Sequence, residues 1–187
     1  MIDYLKHIDT ELFLWLNNKH NTFFDFVMFW STDKYTWIPF YILILYFVRR
    51  KFHRRTSLVI ALVPVLILLS DQISVHGFKE VFERYRPCHN LLIQNQVHLI
   101  AGCGGEFGFV SSHAANTFAT ALFLSLLFKK RNVTVLLFIW ASFVSYTRIY
   151  AGVHYPADVL GGAILGMAIA VIMAKLFYYL EHKIFRQ

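Results

Sequence analysis

Apolar residues occupy this chain in long blocks, cut by short polar or basic stretches. Ile2 to Leu16 places Leu5, Ile8, Leu12, Trp15 and Leu16 at mixed three- and four-residue spacing, with Asp3, Lys6 and Glu11 on other faces. That pattern predicts an amphipathic helix, lying at a membrane interface or packed on the protein's own edge. Asn17 to Asn21 breaks it, and Phe23 to Trp30, interrupted by Asp25, reads as a short re-entrant or hairpin segment. A membrane-crossing helix needs about 17 to 25 apolar residues. Five runs approach that length: one ending at Val48 that begins before Tyr35, then Ser57 to Val75, Ser112 to Phe128, Val133 to Thr147 and Asp158 to Tyr178. The expectation is an all-α, polytopic membrane helical bundle of five to six spans with an amphipathic N-terminal helix. It is read as one domain over residues 1–187, in which 1–34 is the interfacial or re-entrant segment.

Composition supports that reading. Hydrophobic residues make up 57% of the chain and aromatics 18%, more than a soluble domain has reason to carry. The net charge of +7 would suit a nucleic acid, but the cations form short clusters between apolar runs, not a stripe along one face, so no nucleic-acid partner is expected. Arg49 to Arg55 holds five permanent cations in seven residues, and Lys129-Lys130-Arg131 is a second cluster. Cytoplasmic loops are enriched in Lys and Arg, so both clusters, with the tail carrying Lys183 and Arg186, are placed inside. The intervening polar segments then lie outside. The start, with Asp3, Asp9 and Glu11, lacks the basic and small-residue marks of a cleaved signal and is expected to be kept.

Three polar pieces gather at that outer side, where ionisable groups at the lip of a bundle must be paired, hydrated or used. The first is Lys79-Glu-Val-Phe-Glu-Arg-Tyr-Arg86-Pro87, which alone also reads as a basic, snorkelling helix end. The second, Val110-Ser111-Ser112-His113, opens an apolar run. Helix capping accounts for either serine but leaves His113 without a reason, and a helix start is also an anion site. The third runs from Arg148 to Asp158 and contains His154. Four residues separate His154 from Asp158, so on a helical turn the carboxylate can hold one imidazole nitrogen and free the other to attack. Lys79, Arg86 and Arg148 offer donors to phosphate oxygens, one histidine can attack phosphorus, and another can protonate the departing oxygen. No metal or cofactor is required.

Lys79 with six residues before Arg86-Pro87, then Ser111-Ser112-His113, then Arg148 with five residues before His154 and three more before Asp158, resemble the three-part signature of the type 2 phosphatidic acid phosphatase family. Each part is loose alone; the three in order are specific. The resemblance covers about 79–158. It implies a helical bundle sharing its core with vanadium-dependent haloperoxidases, and hydrolysis through a phosphohistidine. Carried over by position, His154 is the nucleophile, Asp158 its orienting partner and His113 the general acid, while Lys79, Arg86, Arg148, Ser111 and the backbone N–H of Ser112 form the phosphate cradle. The usual second motif reads Pro-Ser-Gly-His; here Val110 and Ser112 replace the proline and glycine, and Thr147 stands where serine is common.

The implied protein is an integral membrane lipid phosphatase of a bacterial inner membrane, with an extracytoplasmic site and the bilayer and a lipid phosphate as partners. Undecaprenyl diphosphate is the first choice of substrate, followed by lipid A 1-phosphate, then phosphatidylglycerol phosphate or phosphatidic acid. A haloperoxidase, or a bundle that binds or carries phosphorylated lipid without hydrolysis, are the rival readings. Cys88 and Cys103 fall in the outer loop and are expected to pair in an oxidising compartment. His76, His89 and His98 lack compact metal-ligand spacing, so no metal is assigned. Glu83, Arg84 and Glu106 are candidates for shaping substrate access.

Overall fold

The computed structural model describes residues 2–185. Arg186 of the basic tail lies outside them. Helix α1 (Ile2–Asn17) and α2 (Thr22–Thr32) are separated by the Asn17 to Asn21 breaker and each packs on the last long helices of the chain, and the Asn21 side chain caps α2 by accepting from the Phe24 N–H. α1 turns Leu5, Ile8, Leu12 and Trp15 outward, yet Phe13 is fully buried against Tyr155 and Ile149. One face of this helix is open and apolar, and the other is packed on the protein.

A helix running unbroken into the first span does not form. Asp33 is extended and accepts from the Tyr35 N–H, starting a 3₁₀ turn over Lys34–Trp37 before α3 (Ile38–Phe52). α4 (Thr56–Ser74) passes through a π-helical turn over Val75–Lys79 into the short α5 (Glu80–Phe82). A long outer connection then leads to α6 (Ser112–Phe128), α7 (Arg131–Tyr150) and α8 (Pro156–Phe185). α7 extends past the expected Thr147, so Arg148 sits in its last turn. α8 passes the expected Tyr178 because its polar end has a partner, Glu181 with Arg55.

Helices α3, α4, α6, α7 and α8 alternate in direction around a core that includes Leu66, Phe123, Leu124, Trp140, Met173 and Phe177. α6 and α8 approach most closely. A Cβ at Gly162 would strike the Ser111 carbonyl and one at Gly166 the Ala115 carbonyl, so these positions admit only hydrogen. The two basic turns share one end of the bundle, where Lys51 Nζ donates to the Phe128 carbonyl. His113, Arg148 and His154 stand at the other end.

Candidate active site

The site is assembled from helix ends. Ser111 caps α6, its side chain accepting from the Ala114 N–H at 3.5 Å, and its own N–H donates to the Asp158 carbonyl at 2.9 Å. That cap ties the starts of α6 and α8 together and leaves His113 in the first turn of α6, facing a cavity of about 650 Å³. The same cavity is lined by Lys79, Arg86, Ser112, Arg148 and His154. Of the residues expected to hold phosphate, Ser111 alone does not line it, because its hydroxyl is engaged in capping.

His154 precedes α8 in the turn from α7 and is 2% exposed, with Nδ1 3.4 Å from Asp158 Oδ2. Asp158, in the first turn of α8, is fully buried; its Oδ2 also accepts the Tyr155 N–H at 2.9 Å. Nδ1 of the imidazole is thus turned toward the carboxylate, which leaves Nε2 for the cavity. Burial, then the charges of Arg86, Arg148 and Lys79, hold the His154 pKa well below the usual histidine range. A neutral imidazole with a free lone pair is the form a nucleophile requires.

Arg84 is placed differently from its expected role at the approach to the site. Nη1 donates to Asp158 Oδ1 at 2.9 Å and Nη2 to Asp9 Oδ2 at 2.7 Å, with the guanidinium stacked over the Tyr155 ring. Asp9 Oδ1 in turn accepts the Ala157 N–H at 2.9 Å. The amphipathic N-terminal helix therefore braces the carboxylate behind His154. An isolated antiparallel bridge between Tyr85 and Phe107 keeps this stretch extended, so Arg84 and Arg86 point to the same side. That period-two spacing was the signal in the sequence. Gly108 is the second unforeseen contributor: a Cβ there would lie 3.0 Å from Asp158 Oδ2 and 3.5 Å from His154 Nδ1.

Lys79, Arg86 and Arg148 are each held in place. Lys79, at the end of the π-helical turn, donates to Ser112 Oγ at 2.6 Å, and Ser112 Oγ also meets Ser74 Oγ at 2.6 Å. The serine standing in place of glycine is thereby used to fix the lysine. Arg86 donates to the carbonyls of Cys103 at 2.9 Å and Phe107 at 3.3 Å, while a Cys88–Cys103 disulfide closes the loop beside it. Arg148 donates to Thr32 of α2, and its buried Nε has no partner among the described residues. A buried, unsatisfied guanidinium N–H beside two histidines and two further cations is a donor arranged for an anion.

Residues 60–182 match the model of the PAP2 superfamily. The chain belongs to that superfamily. It is 38% identical, over 98% of its length and 81% of the relative's, to a lipid A 4′-phosphatase of Bacteroides thetaiotaomicron. It is 29% identical, over 90% of its length and 78% of the relative's, to an undecaprenyl-diphosphatase of Sulfolobus acidocaldarius. Among solved structures it resembles Aquifex aeolicus LpxE, with a TM-score of 0.64 and 26% identity, over 89% of this chain and 94% of that one. As a PAP2 member with relatives of this kind, the chain is a multi-pass membrane phosphatase acting without a catalytic metal.

Proposed function

We propose that this PAP2 phosphatase hydrolyses lipid A, taking the phosphate from the 4′ position through a phosphohistidine on His154. The observation that carries the reaction is the gathering of His113, His154 and three cations around one cavity. Nε2 of His154 attacks phosphorus, the bond to the sugar oxygen breaks, and His113 gives that oxygen its proton. Water then attacks the phosphohistidine with His113 as base, releasing inorganic phosphate and free imidazole. Lys79, Arg86 and Arg148 carry the charge that builds on the phosphoryl oxygens. Ser112 acts through Lys79, and Ser111 through the helix start it caps.

Lipid A displaces undecaprenyl diphosphate as first choice for two reasons. The relative that matches nearly the whole chain at 38% identity acts on lipid A. The cavity wall also carries acceptors, the Asp71 carboxylate and Asn116, whose buried Oδ1 has no partner among the described residues. The hydroxyl and amide groups of a phosphorylated sugar supply donors for them, whereas a polyprenyl chain has none. Undecaprenyl diphosphate stays as the second reading because of the Sulfolobus relative. The site faces the outer leaflet of the inner membrane, opposite the basic turns.

Purified protein assayed on lipid A bisphosphate, undecaprenyl diphosphate and phosphatidylglycerol phosphate should turn over lipid A fastest, with the 4′-phosphate lost by tandem mass spectrometry. Faster release from undecaprenyl diphosphate would sink the substrate assignment. His154→Ala should lose activity by about 10³-fold or more. An unchanged rate would end the phosphohistidine reading. Asn116→Leu should lower kcat/KM for lipid A by about fivefold while sparing undecaprenyl diphosphate, since a lost hydrogen bond is worth about 1 kcal/mol.

A further inference from the structure

A second cluster of ligating side chains lies outside the phosphate cavity. His20 in the turn between α1 and α2, Asp25 in the first turn of α2, and His98 in the outer connection each bring one ligand atom near the other two. The three atoms lie within 4.8 Å of one another. His98 Nε2 is 2.8 Å from Asp25 Oδ1, and the His20 and His98 rings are stacked with centroids 3.6 Å apart and planes 3° from parallel.

His98 and Asp25 are held in place. Asn17 accepts the His98 N–H at 2.7 Å and donates to the His98 carbonyl at 3.0 Å, and Asp25 is steadied by the Tyr150 hydroxyl, which donates to Oδ1 at 2.7 Å. Asn17 also donates to the carbonyls of Tyr150 at 2.9 Å and Ile149 at 3.3 Å, so the cluster is fixed against the end of α7. The sequence offered no compact spacing because His98 and Asp25 stand 73 residues apart and meet only through the fold.

We propose that His20, Asp25 and His98 bind one divalent transition-metal ion, zinc foremost. Two imidazoles and a carboxylate, with the fourth position open to water, are a zinc-type donor set, and imidazole selects against magnesium and calcium, which prefer oxygen. Zinc bonds of about 2.0 Å place neighbouring ligand atoms about 3.3 Å apart, so the cluster closes on the ion once the His20 ring turns out of its parallel stack with His98. His20 is exposed and can swing. The ion would be structural, not catalytic, because none of the three residues lines the phosphate cavity. It would fasten the turn between α1 and α2 and the outer connection to α7, the helix that carries Arg148.

The test uses full-length protein purified in detergent, with no histidine tag, stripped with EDTA, incubated with zinc chloride and gel-filtered. About one zinc per chain by elemental mass spectrometry is expected, with a melting temperature raised by zinc and not by magnesium. His20→Ala, at an exposed turn, should keep the wild-type circular dichroism spectrum and lose both the zinc and the shift. His98→Gln, whose backbone anchors to Asn17 remain, should do the same. Zinc retained by both variants, or a wild-type protein that emerges without zinc, overturns the proposal.

Discussion

Asp158 is the residue on which the site's energetics turn. A fully buried carboxylate is stable only when paired and hydrogen-bonded, and here it has Arg84 on one oxygen and His154 with the Tyr155 N–H on the other. Arg84→Ala leaves the charge unpaired and should destabilise the protein by about 3 to 5 kcal/mol, checked by thermal unfolding in detergent. Arg84→Lys should recover only part of this, since one ammonium cannot bridge Asp158 and Asp9 as the fork does. His154 has a pH signature. Its folded pKa is depressed, so below about 6.5 the unfolded chain binds the extra proton and the folded one does not. Stability is therefore full above that pH and falls as pH drops beneath it. Melting curves between pH 7.5 and about 5 should show this fall, and His154→Asn should make it shallower.

Helices and loops matter through what they hold in place. The outer connection sets Arg86 by lending it the Cys103 and Phe107 carbonyls, and the Cys88–Cys103 bridge spans a separation of 15 residues. Replacing both cysteines with serine frees a loop whose closure is worth about 3 kcal/mol, which should lower the melting temperature and raise KM more than it lowers kcat. Steady-state kinetics on one lipid checks that split. At the α6–α8 seam, Gly166→Leu puts a side chain into the Ala115 backbone and should abolish folded protein, as seen by gel filtration in detergent. Gly161, Gly162 and Gly166 in an apolar run mark a face that a neighbour can approach closely without saying which neighbour, and α6 was placed at its observed boundaries because a serine cap and a basic stop bracket it. The ends of α7 and α8 were not, because Arg148 and Glu181 look like terminators in sequence and become interior once Thr32 and Arg55 receive them.

At the scale of the whole molecule, the alternation of apolar runs and basic turns gave the bundle and its two unlike ends, since period and charge are properties of the chain itself. Spacing likewise marked His113, His154 and the three cations. What spacing could not carry was contact across long separations, and so Asp9 behind Asp158, Thr32 on Arg148 and the Ser112 bond to Lys79 came only with the fold. The orientation proposed for the bundle predicts that a reporter fused after Arg55 reads as cytoplasmic; an extracytoplasmic reading would invert the site's side. Tyr41, Ile67, Asn116 and Thr117 belong both to the phosphate cavity and to an adjoining apolar groove of about 320 Å³ between α3, α4, α6 and α7. In the proposed reaction a lipid would hold its phosphorylated end in the cavity and an acyl tail in the groove, so the freed phosphate departs into water while the lipid product remains at the bilayer.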